Sequence, residues 1–255
     1  SDGVSIPASG IMPTMNDRFA GHTAGKYPDS WYAATAPLLP AFPPLQDEET
    51  ADVCVIGGGY TGLSTALHLK KKGYDVVLLE AERVGWGASG RNGGHVGTGQ
   101  RADQASIEKW VGMEVAKGLW QLGLDAVQKV CELIDEYQID CELGSGNLHL
   151  AARLSHAEEL QEELEHLESQ YSYRQLSYLA PEAVAERTSA QGFYGALLDD
   201  GCRHLHPLKY AVGLARAAAE AGARIYEHSR AQPAPDGQSG VVKTTQGYVK
   251  AQHVV

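Results

Sequence analysis

The chemistry of this sequence concentrates in Gly57-Gly58-Gly59-Tyr60-Thr61-Gly62, a GxGxxG motif. Each of its three spaced glycines has a separate job in holding a dinucleotide. Gly57 makes a tight strand-to-helix turn, Gly59 lets a pyrophosphate approach the backbone, and Gly62 lets the next helix pack closely on its sheet. The helix start then offers unpaired N–H groups and a partial positive charge to the phosphates. In a chain with 29 glycines the bare pattern is weak, so its surroundings decide. It leaves one apolar run, Val53-Cys54-Val55-Ile56, and is followed by a second, Val76-Val77-Leu78-Leu79, which ends in Glu80. A carboxylate eighteen residues after Gly62 accepts hydrogen bonds from an adenosine ribose and repels a 2′-phosphate.

FAD and NAD share this half-site, and the following residues separate them. An NAD domain usually proceeds to another strand-helix unit. This chain instead enters Gly85-Trp86-Gly87-Ala88-Ser89-Gly90-Arg91-Asn92-Gly93-Gly94-His95-Val96-Gly97. Glycines at that density let backbone amides approach an extended ligand, while Ser89 and Asn92 add donors and acceptors. His204 and His206 form an HxH pair, but no third ligand lies nearby and a helix-opening Pro207 follows, so no metal is expected. Cys54, Cys131, Cys141 and Cys202 lack CxxC spacing, which points to reduced thiols. The sequence nominates no general base.

These motifs need a frame. Residues 53–80 spell strand, helix, strand: Leu63, Ala66, Leu67 and Lys70 follow the glycines at helical spacing, and Gly73 stops the helix. Helices are expected near 103–117 and 119–137, then short strands near 147–151, 173–178 and 193–198, with a helix opening at Pro181. From Pro207 a helix runs to Ala221, capped by Gly222, and a strand follows at 223–227. A hairpin-like pair is expected at 241–245 and 248–251. Residues 1–50 hold seven of the eleven prolines and read as an extended arm, with Trp31, Tyr32 and Phe42 as candidate anchors.

Composition sets the outer limits. The chain is 43% hydrophobic and 21% charged, with no apolar run near membrane-spanning length, as for a soluble globular protein. No basic-then-apolar leader opens it, so a cytoplasmic location is expected. A net charge of −11 argues against a nucleic-acid partner and is compatible with a cationic small molecule. Much of the surplus lies in residues 155–170, where six glutamates surround Leu160, Leu164 and Leu167 at the spacing of a solvated helix. Oligomeric state is not encoded in any feature of this kind.

Taken together, the residues resemble the FAD-binding start of the D-amino-acid-oxidase-like superfamily, and γ-glutamylputrescine oxidases in particular. The two glycine tracts carry the resemblance, with Tyr137-Gln138-Ile139-Asp140-Cys141, Gly195-Ala196-Leu197-Leu198-Asp199 and His204-Leu205-His206-Pro207-Leu208. Residues 27–35 fit the same group. The resemblance implies an α/β fold: an FAD-binding, Rossmann-like domain of glutathione-reductase type at 51–140 and 206–255, interwoven with an α+β substrate domain at 141–205. It assigns Gly57, Gly59, Tyr60, Thr61 and Gly62 to the pyrophosphate turn, Glu80 to the ribose, and Ala81 and Arg83 to the adenosine side. Gly87, Ala88, Ser89, Arg91, Asn92, Gly93, Gly94, His95 and Val96 would line the pyrophosphate, ribityl chain and flavin. Ala231 stands where relatives usually hold Val and would contact adenine through its backbone. His95 departs from the Gln of some relatives.

The resemblance also implies an activity: oxidation of a small-molecule amine, with hydride passing to flavin N5, imine hydrolysis, and O₂ or another acceptor taking the electrons. A γ-glutamylated polyamine such as γ-glutamylputrescine is the expected substrate, within putrescine catabolism. Two other readings stand beside it. One is an oxidase or dehydrogenase of glycine, sarcosine or a D-amino acid; the other is an inactive nucleotide-binding fragment. Gln252-His253-Val254-Val255 reads as the opening of a further buried strand, so the chain is expected to be an N-terminal portion that binds FAD weakly and turns over nothing alone.

Overall fold

A computed structural model describes residues 25–232 and 240–255. Prolines 7 and 13 of the expected arm lie outside them. A five-residue helix, α1 (Trp31–Thr35), comes first, followed by strand β1 (Asp47–Ile56), helix α2 (Tyr60–Lys71) and strand β2 (Val76–Leu79). After a 3-10 turn (Ala88–Gly90) come β3 (His95–Val96), α3 (Gln104–Val111), α4 (Met113–Glu136), β4 (Gly144–Leu150) and α5 (Leu154–Tyr171). The chain continues through β5 (Leu176–Leu179), α6 (Pro181–Thr188), β6 (Ala196–His204) and α7 (Pro207–Glu220), and ends in β7 (Arg224–Tyr226), β8 (Val241–Lys243) and β9 (Gly247–Val254).

Two sheets organise these elements. The first has the order β7-β2-β1-β9-β8, parallel except for the β8–β9 hairpin. Side-chain alternation divides its core into two. Val53 and Val55 join Val76 and Leu78 on the face covered by α2 and α7, where Leu63, Ala66, Leu67, Leu214 and Ala218 are buried. Cys54, Val77 and Leu79 point to the opposite face, among Leu45, Val242 and Val249. Burial on both faces is why β1 and β2 read as continuous apolar runs. The second sheet is antiparallel: β6 lies between β4 on one edge and β3 with β5 on the other. The acidic stretch forms α5 and lays Ala157, Leu160 and Leu167 inward, as its leucine spacing requires.

Several expectations change. The arm is not wholly extended, because Ser30 caps α1 by accepting from the Ala33 N–H. Tyr32 and Phe42 do pack inward, against His206 and the main core, whereas Trp31 is 75% exposed and anchors nothing. Strand β1 begins at Asp47, four residues before the apolar texture, because its first half pairs with β9 rather than with β2. Ile56 sits at the exposed end of its strand. The expected long helix at 103–117 breaks at Gly112, which holds φ +81°. Gln252 to Val254 do not open a new buried strand: they continue β9 alongside β1, and Val254 and Val255 are exposed. No helix among the described residues is long and apolar enough to cross a membrane.

Candidate functional site

The glycine motif sits where β1 hands over to α2. Gly57 holds φ +105° and donates its N–H to the Leu79 carbonyl, turning the chain at the sheet's upper edge. A Cβ on Gly62 would stand 1.9 Å from the Gly57 carbonyl oxygen, so this turn closes only around glycine. Gly59 is the N-cap of α2, and a Cβ there would meet Ser89 Oγ at 2.9 Å. That hydroxyl accepts the Tyr60 N–H at 3.0 Å, joining the two glycine tracts. Thr61 is exposed in the first turn of the helix. The Tyr60 ring faces the protein instead: its hydroxyl donates to the Pro207 carbonyl and its ring lies 5.2 Å from that of Tyr210. Burial pushes the hydroxyl up to about 12.

Glu80 completes the first half. One of its oxygens accepts the Gly58 N–H at 2.6 Å and the other accepts the Glu82 N–H at 2.8 Å. A carboxylate offers about four acceptor positions, so capacity remains for a ribose hydroxyl. Burial raises the carboxyl above its ordinary value, and backbone donors pull the other way. Ala81 begins the loop beyond Glu80. The Arg83 guanidinium is committed within the protein, lying 2.7 Å from Glu227 and donating to the Leu39 carbonyl. Ala231 packs partly buried on the second core face, two residues after Ser229, whose N–H donates to the Glu80 carbonyl.

The second glycine tract folds back over the start of α2. Gly87 and Ala88 are exposed, and a Cβ on Gly87 would meet nothing. Asn92 ties the tract: its amide donates to the Ala88 and Ser89 carbonyls, and its oxygen accepts the Gly94 N–H. Arg91 stacks 4.0 Å over the Trp86 ring and donates through Nε to the Trp86 carbonyl. Its Nη2 is buried with no hydrogen-bond partner among the described residues. A buried cationic donor left unmatched is one that an anionic group such as a phosphate would complete. Gly93 is exposed, and Gly94, at φ +73°, crosses the Leu205 carbonyl so closely that a Cβ would stand 1.9 Å from it. His95 and Val96 form β3 and pair with His204 and Arg203 of β6.

The HxH pair is split between two tasks. Nδ1 of His206 accepts the Lys209 N–H and caps α7, so its Nε2 carries the proton, which it donates to Thr35 Oγ1 at 2.9 Å. Burial holds this imidazole below its ordinary value. His204 lies instead near the Gly146 carbonyl. Among the described residues no three His, Cys, Asp or Glu side chains gather in a metal-binding group, and the four cysteines form no disulfide.

Sequence reasoning passed over two carboxylates. Glu227 has no solvent exposure and bonds the Val84 and Phe42 N–H groups. Its signal was its place: it ends an apolar strand as Glu80 does. Asp199 accepts from Thr98, Cys202 and Tyr173, and from the Gly201 N–H. Nothing in its local pattern announces that convergence.

The family model described as FAD dependent oxidoreductase, DAO, matches residues 52–255. Gamma-glutamylputrescine oxidoreductase of Escherichia coli strain K12 is 40% identical over 230 residues, covering 90% of this chain and 54% of the relative. Probable oxidoreductase OrdL of Rhizobium meliloti is 39% identical, covering 89% and 53%. The chain thus spans about half the length of these curated relatives. In fold it is similar to glycine oxidase from Geobacillus kaustophilus, with a TM-score of 0.65, 25% identity, and coverage of 81% of this chain and 54% of that one. L-amino acid deaminase from Proteus myxofaciens gives a TM-score of 0.67 at 21% identity, covering 86% and 48%. The chain belongs to the DAO family of FAD-dependent oxidoreductases, and FAD is the cofactor that its glycine-lined site fits.

Proposed function

We propose that the protein takes part in oxidising a primary amine on a γ-glutamylated polyamine such as γ-glutamylputrescine, with O₂ as the terminal acceptor. The observation that carries this reading is the 40% identity to gamma-glutamylputrescine oxidoreductase across 90% of the chain, glycine site included. FAD, when bound, supplies a two-electron acceptor at N5 for the hydride leaving the carbon beside the substrate nitrogen. In this reading Gly57, Gly59, Thr61 and Gly62 leave room for the pyrophosphate at the start of α2, with Arg91 Nη2 as its charged donor. Glu80 holds the ribose hydroxyls, and the backbone beside Ala81 and Ala231 flanks the adenosine. The exposed backbone of Gly87, Ala88 and Gly93 faces the extended cofactor, whereas Ser89 and Asn92 hold that backbone in place. Gly94, His95 and Val96 carry the tract onto β6, toward the flavin end.

The substrate side falls to residues 141–205, which supply β4, β5 and β6. The inferred setting is cytoplasmic polyamine catabolism. A second reading has one specific support, the likeness in fold to glycine oxidase. It makes the substrate an amino acid rather than a polyamine. One assay separates them: load the protein with FAD, supply γ-glutamylputrescine, glycine, sarcosine and a D-amino acid in turn, and follow flavin bleaching and peroxide. Bleaching by γ-glutamylputrescine supports the first reading and bleaching by glycine the second, whereas no bleaching by any amine supports the inactive nucleotide-binding reading of this chain.

A further inference from the structure

Residues 25–45 precede the matched family region, yet they make their densest polar contacts with the loop that follows Glu80. The Gly25 N–H donates to Glu82 Oε2 at 3.0 Å, and the Trp86 indole N–H donates to the Lys26 carbonyl at 2.8 Å. The Tyr27 hydroxyl donates to the Val84 carbonyl at 2.8 Å, and its ring lies 5.2 Å from the Arg83 guanidinium. Further along, Arg83 Nη2 donates to the Leu39 carbonyl, and the Leu45 N–H donates to Ser229 Oγ.

Glu227 stands at the middle of these contacts. Its Oε1 accepts the Val84 N–H at 2.7 Å from the loop, and its Oε2 accepts the Phe42 N–H at 2.9 Å from the arm. The same Oε2 lies 2.7 Å from Arg83 Nε. A fully buried carboxylate is costly unless its oxygens are matched, and here they are matched only when arm and loop are both in place. The loop in turn fixes Glu80, whose carboxylate accepts the Glu82 N–H and whose carbonyl accepts the Ser229 N–H. Glu227 and the arm therefore reach Glu80 without being next to it.

The geometry points to residues 25–45 as a strap that preorganises the adenosine end of the cofactor site, with Glu227 as the positioning residue joining strap to loop. The inference rests on the FAD reading of the Gly57 and Glu80 site. Neither Tyr27 nor Glu227 touches the cofactor in it; both act by holding Glu80 where the ribose hydroxyls meet it. An unstrapped loop has to order itself when the nucleotide arrives, which weakens binding without removing any contact to it.

The test uses Tyr27→Phe and Glu227→Gln, with titrations of FAD and of ADP, which carries the adenosine end alone. Tyr27→Phe removes one hydroxyl at the edge of the strap and keeps the ring, so folding survives even if the buried Glu227→Gln does not fold. The expected result is a rise of about tenfold in Kd for Tyr27→Phe, equal for FAD and ADP, as for one lost hydrogen bond. The visible spectrum of the bound flavin should be unchanged, because the ring end is not strapped. Faster proteolytic cleavage of the 80–86 loop in the variant without nucleotide, restored by saturating ADP, gives a second readout that supports the strap. Wild-type ADP affinity in Tyr27→Phe overturns the strap alone. Failure of the unaltered protein to bind either FAD or ADP overturns the site reading beneath it.

Discussion

Gly59 and Gly62 lie three residues apart in one motif, yet the structure predicts opposite failures when each becomes alanine. At Gly62 the new Cβ would stand 1.9 Å from the Gly57 carbonyl oxygen, where real Cβ contacts stay above 3.0 Å, so backbone must move by more than an ångström. Overpacking of this kind costs about 1–3 kcal/mol, and a rigid carbonyl at a strand end places Gly62→Ala near the upper figure. For a domain of this size that is a fall in Tm of roughly 6–12 °C. At Gly59 the backbone is ordinary, with φ −86°, and the Cβ would meet only the Ser89 hydroxyl, 2.9 Å away. A hydroxyl can rotate, so Gly59→Ala costs the fold about 1 kcal/mol for the bond Ser89 makes to the Tyr60 N–H.

The cofactor reads the same two changes in reverse order of directness. A methyl at Gly59 occupies the approach to the helix N-terminus and keeps the pyrophosphate from two backbone donors. Charge-assisted bonds of this sort are worth about 1.5–3 kcal/mol each, so FAD affinity should fall by roughly a hundredfold or more. Melting curves without FAD and titration of flavin absorbance measure the two effects separately. The reasoning fails if Gly59→Ala keeps wild-type FAD affinity, or if Gly62→Ala melts with the unaltered protein.

Other changes have equally definite signs. Glu80→Ala strands the Gly58 and Glu82 N–H groups as well as the ribose, so it should weaken FAD by about 1–3 kcal/mol and lower apo stability too, whereas Glu80→Gln keeps one acceptor and loses less of both. Because burial raises the Glu80 carboxyl, its ionisation should erode apo stability as pH rises above the usual carboxylate range, and Glu80→Gln should flatten that slope in melting experiments. His206 has the opposite sign: its neutral form caps α7, so the stability it adds is present above about pH 6.5 and is lost as pH falls below it. Asparagine also caps helices, so His206→Asn should remove that acid-side loss while costing little at neutral pH; an unchanged acid slope would refute the assignment. Arg91→Met loses the bond to the Trp86 carbonyl and the stacking over that ring, so it should melt slightly lower without FAD and bind FAD about 1–3 kcal/mol more weakly.

The parallel half of the fold was legible because its physics is local. Val53 to Val55 and Val76 to Leu79 are buried by being central, and the glycines at 57, 59 and 62 announce the turn between the two strands. Pro207 and Gly222 marked both ends of α7 for the same reason. What stayed hidden depends on partners far away in sequence. The first half of β1 is polar, and only its pairing with β9, about two hundred residues later, makes Asp47 to Thr50 a strand. Gln252 to Val254 were misread from the same cause, since an apolar ending suggests a new core strand where the ladder simply continues. Among the site residues, Glu80 was readable from its spacing. Glu227 shared the cue of a strand end, but its role was hidden, because its partners Phe42 and Val84 come from two other parts of the chain.

One joint decides how the two sheets can divide the labour. The second glycine tract ends by becoming β3, and β3 pairs with the same end of β6 that leads into α7. Gly94 accepts the Leu205 N–H, and the His206 N–H donates to the Cys141 carbonyl, so the tract, the strand and the helix start are held within a few bonds of one another. Immediately beyond, Thr98 is fixed by Asp199, the residue that also receives Tyr173 and Cys202. A shift of β6 against the parallel sheet would therefore drag His95 and Val96 with it, while leaving Gly57, Gly59 and Glu80 on the β1–β2 edge where they are. In the proposed function this separates two kinds of error. Substitutions around β6 should alter what is presented to the flavin, and those at the β1–β2 edge should alter whether the cofactor is held at all.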